Sequence, residues 1–477
     1  MRETKLYKAI VQLSGHELNR LDRFIHSPYF NRSQPTIDLF NWIKDDLKSV
    51  SGANITKEEL WSMCFGEHED YNDGRLRKLQ SDLLKLVENF YSQEIFESNP
   101  IYKAKYLLEA VSQKKLQALQ TGALKSSLRH IENQSLRPAS FYFYKYEIEQ
   151  SIFDLHRIQA ERKAKSNIEE IAQNLDRFYL AEKLRYYCTI LNHQHLAVFD
   201  YKMLFIDEII QHVQTNDYTD IPPILIYYQI LLSYMDPDNH EHFEKIKTLI
   251  NQHIHLFPDN EKMEIIDSAF NYCIKKMNAG VPGFLEEAFN LYKLWLGKDL
   301  LIVQGNIDPF HFKNIVTIGL RLNEFDWIES FIHSYSVALD EKFRNNAITF
   351  NLAQLYFYKK DYQKVISQLS QVDYDDITYN LNSKTLLMAS YYELDEMEAL
   401  GSLLDTFRIY LSRNKEIPPT RRKHYLNTIS IVRKLSKIVH GDVKEIEKLK
   451  KDIDNTQGIV SKNWIVEKLT ILEGAAV

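Results

Sequence analysis

Glycine and proline are scarce in this sequence, 14 and 12 among 477 residues, against typical usage of about 7% and 5%. The shortage leaves few tight β-turns and no Pro- or Gly-rich linker. It also removes most backbone positions that could cradle a phosphate or lift a nucleophile onto a strained elbow. None of GxxxxGK[ST], GxGxxG, GxSxG or HExxH occurs. The three cysteines, Cys64, Cys188 and Cys273, are odd in number and far apart, so they offer neither a disulfide framework nor a closely spaced zinc knuckle. They read as buried thiols of a reducing compartment. There is no run of about 18 uncharged apolar residues, and the N-terminus MRETKLYKAIVQLSG has no apolar segment before a cleavage site. A soluble cytoplasmic protein without a membrane span is expected. A net charge of −6 and a pI near 6.3 exclude a surface built throughout for nucleic acid, so any such site must be local.

What is present is helical periodicity. From residue 347 to 411 the chain repeats itself: Leu352, Ala353 and Tyr356 make one apolar stripe, Asp361-Tyr362 turn the chain, and Val365, Leu369 and Val372 make a second. Leu387, Met388 and Tyr391 repeat the first stripe and Met397, Leu400, Leu404 and Phe407 the second, about 35 residues later. A period of that length marks a solenoid of stacked helix pairs. On Leu352-Ala353, Tyr356 and Asp361-Tyr362 the pattern resembles the tetratricopeptide repeat, although Val365 and Val372 stand where that family has Ala. Aromatic residues make up 12%, which suits the uneven gaps between stacked helices.

Residues 1–95 lack the repeat and read as an N-terminal helical cap. Ser14-Gly-His-Glu17 and Thr56-Lys-Glu-Glu59 are capping boxes, and Pro35 restarts a helix. The string Phe24-Ile-His-Ser-Pro-Tyr-Phe-Asn31 resembles SPYFN segments near the start of a family of bacterial helical-repeat proteins of unassigned function. The resemblance implies a bacterial helical-repeat protein and no activity. Pro28, Tyr29 and Phe30 read as an interhelix turn packed on the cap core, with an exposed docking patch as the alternative.

Residues 96–440 read as the solenoid. Helices are expected over 102–129, 139–163, 168–195 and 201–213. The repeat then sharpens, with Ile230 and Tyr234 in the places of Leu352 and Tyr356, followed by Phe243, Ile246, Ile250 and Pro258. Helices 263–277 with 284–296, 312–322 with 325–337, and the 347–411 pairs follow. Residues 422–439 and two helices in 441–477 close the stack.

Three His-x-His pairs, His193/His195, His240/His242 and His253/His255, do not suit a metal on a helix, because i,i+2 spacing points the imidazoles apart. His240 and His242 fall at a turn near Asp236 and Asp238, where a weak surface site is the alternative. His253 occupies a small-residue slot and reads as a packed histidine. The acidic stretches 67–73 and 236–239 lack the glycine-centred spacing of a calcium loop. No metal and no cofactor is expected.

Segment 411–440 carries eight Lys and Arg residues against the single acid Glu416, a local charge of +7. At helical spacing Lys423, Arg433, Lys434 and Lys437 share one flank, which could hold phosphates or an acidic partner helix. The resulting expectation is an all-α protein: a helical cap followed by a right-handed α-solenoid of tetratricopeptide-like helix pairs. The resemblance implies a concave groove lined by Phe350, Gln354, Phe357, Tyr358, Ala389 and Tyr392. The function read from it is a non-enzymatic cytoplasmic adaptor or scaffold for a protein or peptide partner. A nucleic-acid-associated regulator using the 411–440 face and an enzyme without a recognisable motif are the alternatives. Oligomeric state is left open.

Overall fold

Both capping boxes form. In the computed structural model, which describes residues 2–48, 55–158, 166–196, 201–370 and 377–474, the Glu17 amide donates to Ser14 Oγ at 3.3 Å and the Ser14 amide to Glu17 Oε2 at 2.8 Å. Thr56 and Glu59 make the same exchange at 3.2 and 2.8 Å. The boxes satisfy amides that no helical carbonyl can reach. They start α2 (Gly15–His26) and α4 (Lys57–Phe65), which join α1 (Lys5–Val11), α3 (Gln34–Lys48) and α5 (Asp73–Ser98). These five helices share one core, in which Ile10, Leu21, Ile25, Phe40, Ile43, Trp61, Leu83 and Phe90 are each no more than 2% exposed. Burial contributes roughly 1.5–3 kcal/mol for each such side chain. Between α2 and α3 the Phe30 ring stacks on Phe24 at 4.1 Å and Asn31 Nδ2 donates to the Ile25 carbonyl at 3.1 Å. Tyr29 is left 87% exposed.

The chain forms two units, Met1–Leu232 with Asn251–Pro258, and Ser233–Ile250 with Asp259–Val477. The first continues through α6 (Pro100–Gln113), α7 (Gln117–Glu132), α8 (Ala139–Ile158), α9 (Ile168–Leu196) and α10 (Ile206–Thr215). Two expected helices are revised. The span 102–129 is broken in two, because Lys115 takes a left-handed backbone (φ 52°) and the Leu116 amide donates to the Val111 carbonyl at 3.0 Å. This is a Schellman closure made without the usual glycine. The helix expected from Tyr201 begins only at Ile206, after Phe205 at φ 65°. The far end of the expected 139–163 helix lies outside the described residues, as does Val372. The boundary between units falls within α11 (Pro222–Met235) and again near the end of α12 (His240–His253).

The second unit continues through α13 (Asp259–Asn278) and α14 (Phe284–Leu296). A hairpin that the helical reading did not include follows, β1 (Ile302–Val303) paired antiparallel with β2 (Asn306–Ile307). Gln304 and Gly305, both at positive φ, supply its two-residue turn. Next come α15 (Pro309–Arg321), α16 (Phe325–Tyr335), α17 (Glu341–Tyr358), α18 (Tyr362–Leu369), α19 (Ile377–Glu393) and α20 (Met397–Arg413). One turn geometry joins each of these successive pairs. Asn323, Lys360 and Asp395 all adopt left-handed backbone, at φ 59°, 60° and 59°. After each, an amide reaches back five residues: Glu324 to Gly319 at 3.0 Å, Asp361 to Tyr356 at 2.8 Å and Glu396 to Tyr391 at 2.9 Å. Leu352, Ala353, Val365 and Leu369 are buried, and so are Leu387, Met388, Leu400 and Leu404. Finally α21 (Pro419–Leu435), α22 (Val443–Asn455) and α23 (Lys462–Gly474) share one apolar cluster with α19 and α20, including Leu381, Phe407, Ile429, Ile446 and Leu469.

Helix contact in the second unit depends on one small residue. A Cβ added at Gly319 would lie 2.4 Å from Ile328 Cδ1 and 2.9 Å from Phe289 Cε2. Gly319→Ala is therefore expected to lower stability by about 1–3 kcal/mol through overpacking, read as a lower urea midpoint by circular dichroism. The double variant with Ile328→Ala should lose less stability than the sum of the two single losses, since the second substitution removes the clash along with the packing. A wild-type midpoint for Gly319→Ala would show that the α15–α16 seam has slack.

Candidate partner-binding surface

Helix α17 places its four candidate residues in unlike surroundings. Phe350 is 2% exposed, with its ring 5.3 Å from Tyr379, and it packs in one cluster with Ala353, Val365 and Leu369. Spacing i,i+3 sets it on the same stripe as Ala353, so it is a core residue and not a groove residue. Gln354 is half-buried, and its Oε1 is out of solvent with no hydrogen-bond partner among the described residues. Phe357 is half-buried, with the Tyr362 ring edge-on at 5.6 Å and 70°. Tyr358 is 42% exposed. The two adjoining aromatics thus face apart, as successive residues on a helix must.

On α19, Ala389 is 4% exposed and likewise belongs to the interior. Tyr392 is half-buried for a different reason. Trp464 of α23 meets it edge-on at 5.4 Å and 87°, and Trp464 donates Nε1–H to Glu393 Oε1 at 2.7 Å. Lys468, one turn along α23, reaches the same oxygen at 2.7 Å, with the Lys468 and Glu393 side chains only 12% and 14% exposed. Burial alone would lower the Lys468 ammonium; its bonds to Glu393 and Glu467 outweigh that and hold it above its ordinary value. The sequence reading did not include Glu393, Trp464 or Lys468. The only signal was the Trp-x-x-x-Lys spacing on one helix, which names no receiving surface.

No family model, curated protein or solved structure matches the chain. The chemistry of the surface is read from its own side chains.

The basic flank is more neutral than its sequence. Arg433 is paired with Asp405 of α20 at 2.7 Å, and Lys434 with Asp452 of α22 at 2.7 Å. Lys423 and Lys437 are exposed, and neither has an acidic partner within 4 Å among the described residues. Lys437 lies just beyond the end of α21. Exposed pairs of this kind contribute about 0.2–1 kcal/mol each, so they orient side chains more than they stabilise the fold.

The histidines at the 236–242 turn make hydrogen bonds. His240 Nδ1 lies 2.9 Å from Tyr272 Oη, while Tyr272 donates to the Pro237 carbonyl at 2.8 Å. Lys276 reaches Asp238 at 2.9 Å. Burial lowers the His253 imidazole, in keeping with a packed histidine. His193 is exposed, and the His195 side chain lies outside the described residues. Among the described residues no three His, Cys, Asp or Glu gather as a metal site, and no helix is long and apolar enough to cross a membrane.

All three thiols are buried. Burial pushes Cys64 up to about 11 and Cys273 up to about 12, and raises Cys188 further. None is a thiolate near neutrality, so none is an activated nucleophile. Burial likewise raises the Tyr272 phenol to about 12. These groups bind protons more tightly folded than unfolded, so their contribution is fully present below about pH 9 and is lost as pH rises toward 12. Urea midpoints are expected to stay level from pH 7 to 9 and then fall. The thiols should react with Ellman's reagent at pH 8 only after denaturation; prompt labelling of the native chain would contradict the packing of α4, α9 or α13.

Proposed function

We propose that the chain is a non-enzymatic cytoplasmic adaptor whose second unit holds a segment of another protein along the α17–α19 face. Its helix pairs then stack as a right-handed solenoid similar to tetratricopeptide repeats. The observation that carries this reading is the end of α17, where the large Tyr358 ring is left 42% exposed. A large exposed ring of low conformational entropy is what a partner segment needs for an apolar anchor. The recurring left-handed turns after α15, α17 and α19 support the stacked arrangement, since equal turns return successive helices in equal ways. The nucleic-acid reading loses support from the acids facing Arg433 and Lys434.

A photocrosslinking phenylalanine at position 358 is expected to trap one defined protein in the native cell, while the same group at buried position 350 traps none. With that protein purified, Tyr358→Ala should weaken binding by roughly 1–2 kcal/mol with the urea midpoint unchanged. Equal trapping from 350 and 358, or none from either, would remove the adaptor reading.

A further inference from the structure

Helix α23 divides its contacts between two stripes. Ile465, Leu469 and Leu472, at i, i+4 and i+7, are buried in the cluster shared with α21 and α22. Trp464 and Lys468, also at i and i+4, reach instead to the end of α19, where indole N–H and ammonium converge on Glu393 Oε1 at 2.7 Å each and the indole edge meets Tyr392. The approach to α23 is fixed to α21. Asn427 Nδ2 donates to the Gln457 and Gly458 carbonyls at 3.0 and 3.2 Å, and the Val460 amide donates to Thr428 Oγ1 at 2.8 Å. Gly458, at φ 73°, lies so close to the His424 ring that an added Cβ would sit 2.0 Å from it. The chain is thus clamped up to Val460, directly before the helix that carries the two reaching side chains.

From this arrangement we propose that Tyr392 and Glu393 form a docking subsite for a partner helix bearing an indole and a lysine or arginine four residues later, and that α23 is its resident occupant. The inference rests on the adaptor reading and names the chemistry of the partner. Glu393 decides that chemistry. A carboxylate at this burial is destabilising without a cation and hydrogen-bond donors, so whatever displaces α23 must bring both. Tyr392 supplies an aromatic face that an indole edge complements. The tether at Val460 keeps α23 at high effective concentration. A partner in trans therefore binds weakly until the Trp464 and Lys468 contacts are loosened, which makes α23 a built-in competitor.

The test uses the full chain and a fluorescein-labelled peptide of residues 457–474. Full-length Trp464→Ala/Lys468→Ala keeps Ile465, Leu469 and Leu472 in the core. By fluorescence anisotropy it is expected to bind the peptide at least about tenfold more tightly than wild type does. A peptide carrying the same two substitutions should bind neither protein. A folded variant that binds neither peptide, or equal binding of both peptides by both proteins, overturns the subsite. Should the variant fail to fold, hydrogen exchange on the wild-type chain decides: α23 amides exchanging by local opening, ahead of α20 and α21, support a displaceable occupant, and exchange only through global unfolding overturns it. Trapping from position 358 without peptide binding would leave the adaptor standing and remove this subsite. Peptide binding without such trapping would do the reverse.

Discussion

The second unit depends on one backbone device, a single left-handed residue that ends a helix and returns the chain. Just after Asn323, Lys360 and Asp395 the amide three positions beyond the last helical residue bonds back to a carbonyl of the final turn. The helix therefore closes its orphan carbonyls without solvent. Because the turn occupies only a few residues, the following helix must run back along the one just ended, and their apolar stripes are brought face to face. Residues other than glycine adopt this backbone at a cost of roughly 1–2 kcal/mol. The turns therefore persist only because the stripes they bring together, such as Leu352–Ala353 against Val365–Leu369, are buried.

Against that apolar packing stand side-chain atoms that find no partner. Asn351 Oδ1, Gln354 Oε1, Ser383 Oγ and Ser390 Oγ are all out of solvent on α17 and α19, and a buried unsatisfied group costs about 1–3 kcal/mol. Trp61 in the N-terminal core donates to the Glu69 carbonyl at 2.9 Å, whereas Trp295 in the second unit has no acceptor. The same unit holds a better-connected polar cluster, His311 Nε2 at 3.1 Å from Asp267 and His311 Nδ1 at 3.4 Å from Tyr292 Oη. Among the described residues, unpaired polar atoms thus occur on α14 and α15, at Trp295 Nε1 and Asn314 Nδ2, as well as on α17 and α19. Helices weakened in this way open more readily, and α17 is the one that presents Tyr358.

How much of this could be read beforehand follows from what each feature depends on. Helix α14 begins and ends where expected, at Phe284 and Leu296, because a glycine-proline breaker precedes it and a glycine follows. The capping boxes and the cap core were legible because their partners are three or four residues apart. The break at Lys115 was not, since a lysine in left-handed backbone leaves no mark on the sequence. Positions carried over from a repeat pattern assume that pattern's helix rotation, and here Phe350 and Ala389 are buried, Phe350 with its ring edge-on to Tyr379. Trp464 and Glu393 are 71 residues apart in the chain. No local periodicity reports a meeting at that separation.

The same reasoning explains why charge counted along the chain misjudged the basic segment. A solvated charge acts over about a Debye length, roughly 8–10 Å at physiological salt, so what matters is which acids lie within that radius. Asp405 and Asp452 come from the helices before and after α21 and stand 2.7 Å from Arg433 and Lys434. Two of the seven net charges are thus offset where they would act. The Glu393 carboxylate, by contrast, is one charge in a chain rich in them, yet it is largely removed from water and held by two donors from α23. Salt screens such a pair far less than an exposed one. The subsite proposed at the end of α19 would therefore rely on one desolvated carboxylate and an aromatic ring, and its strength should depend on geometric fit far more than on ionic strength.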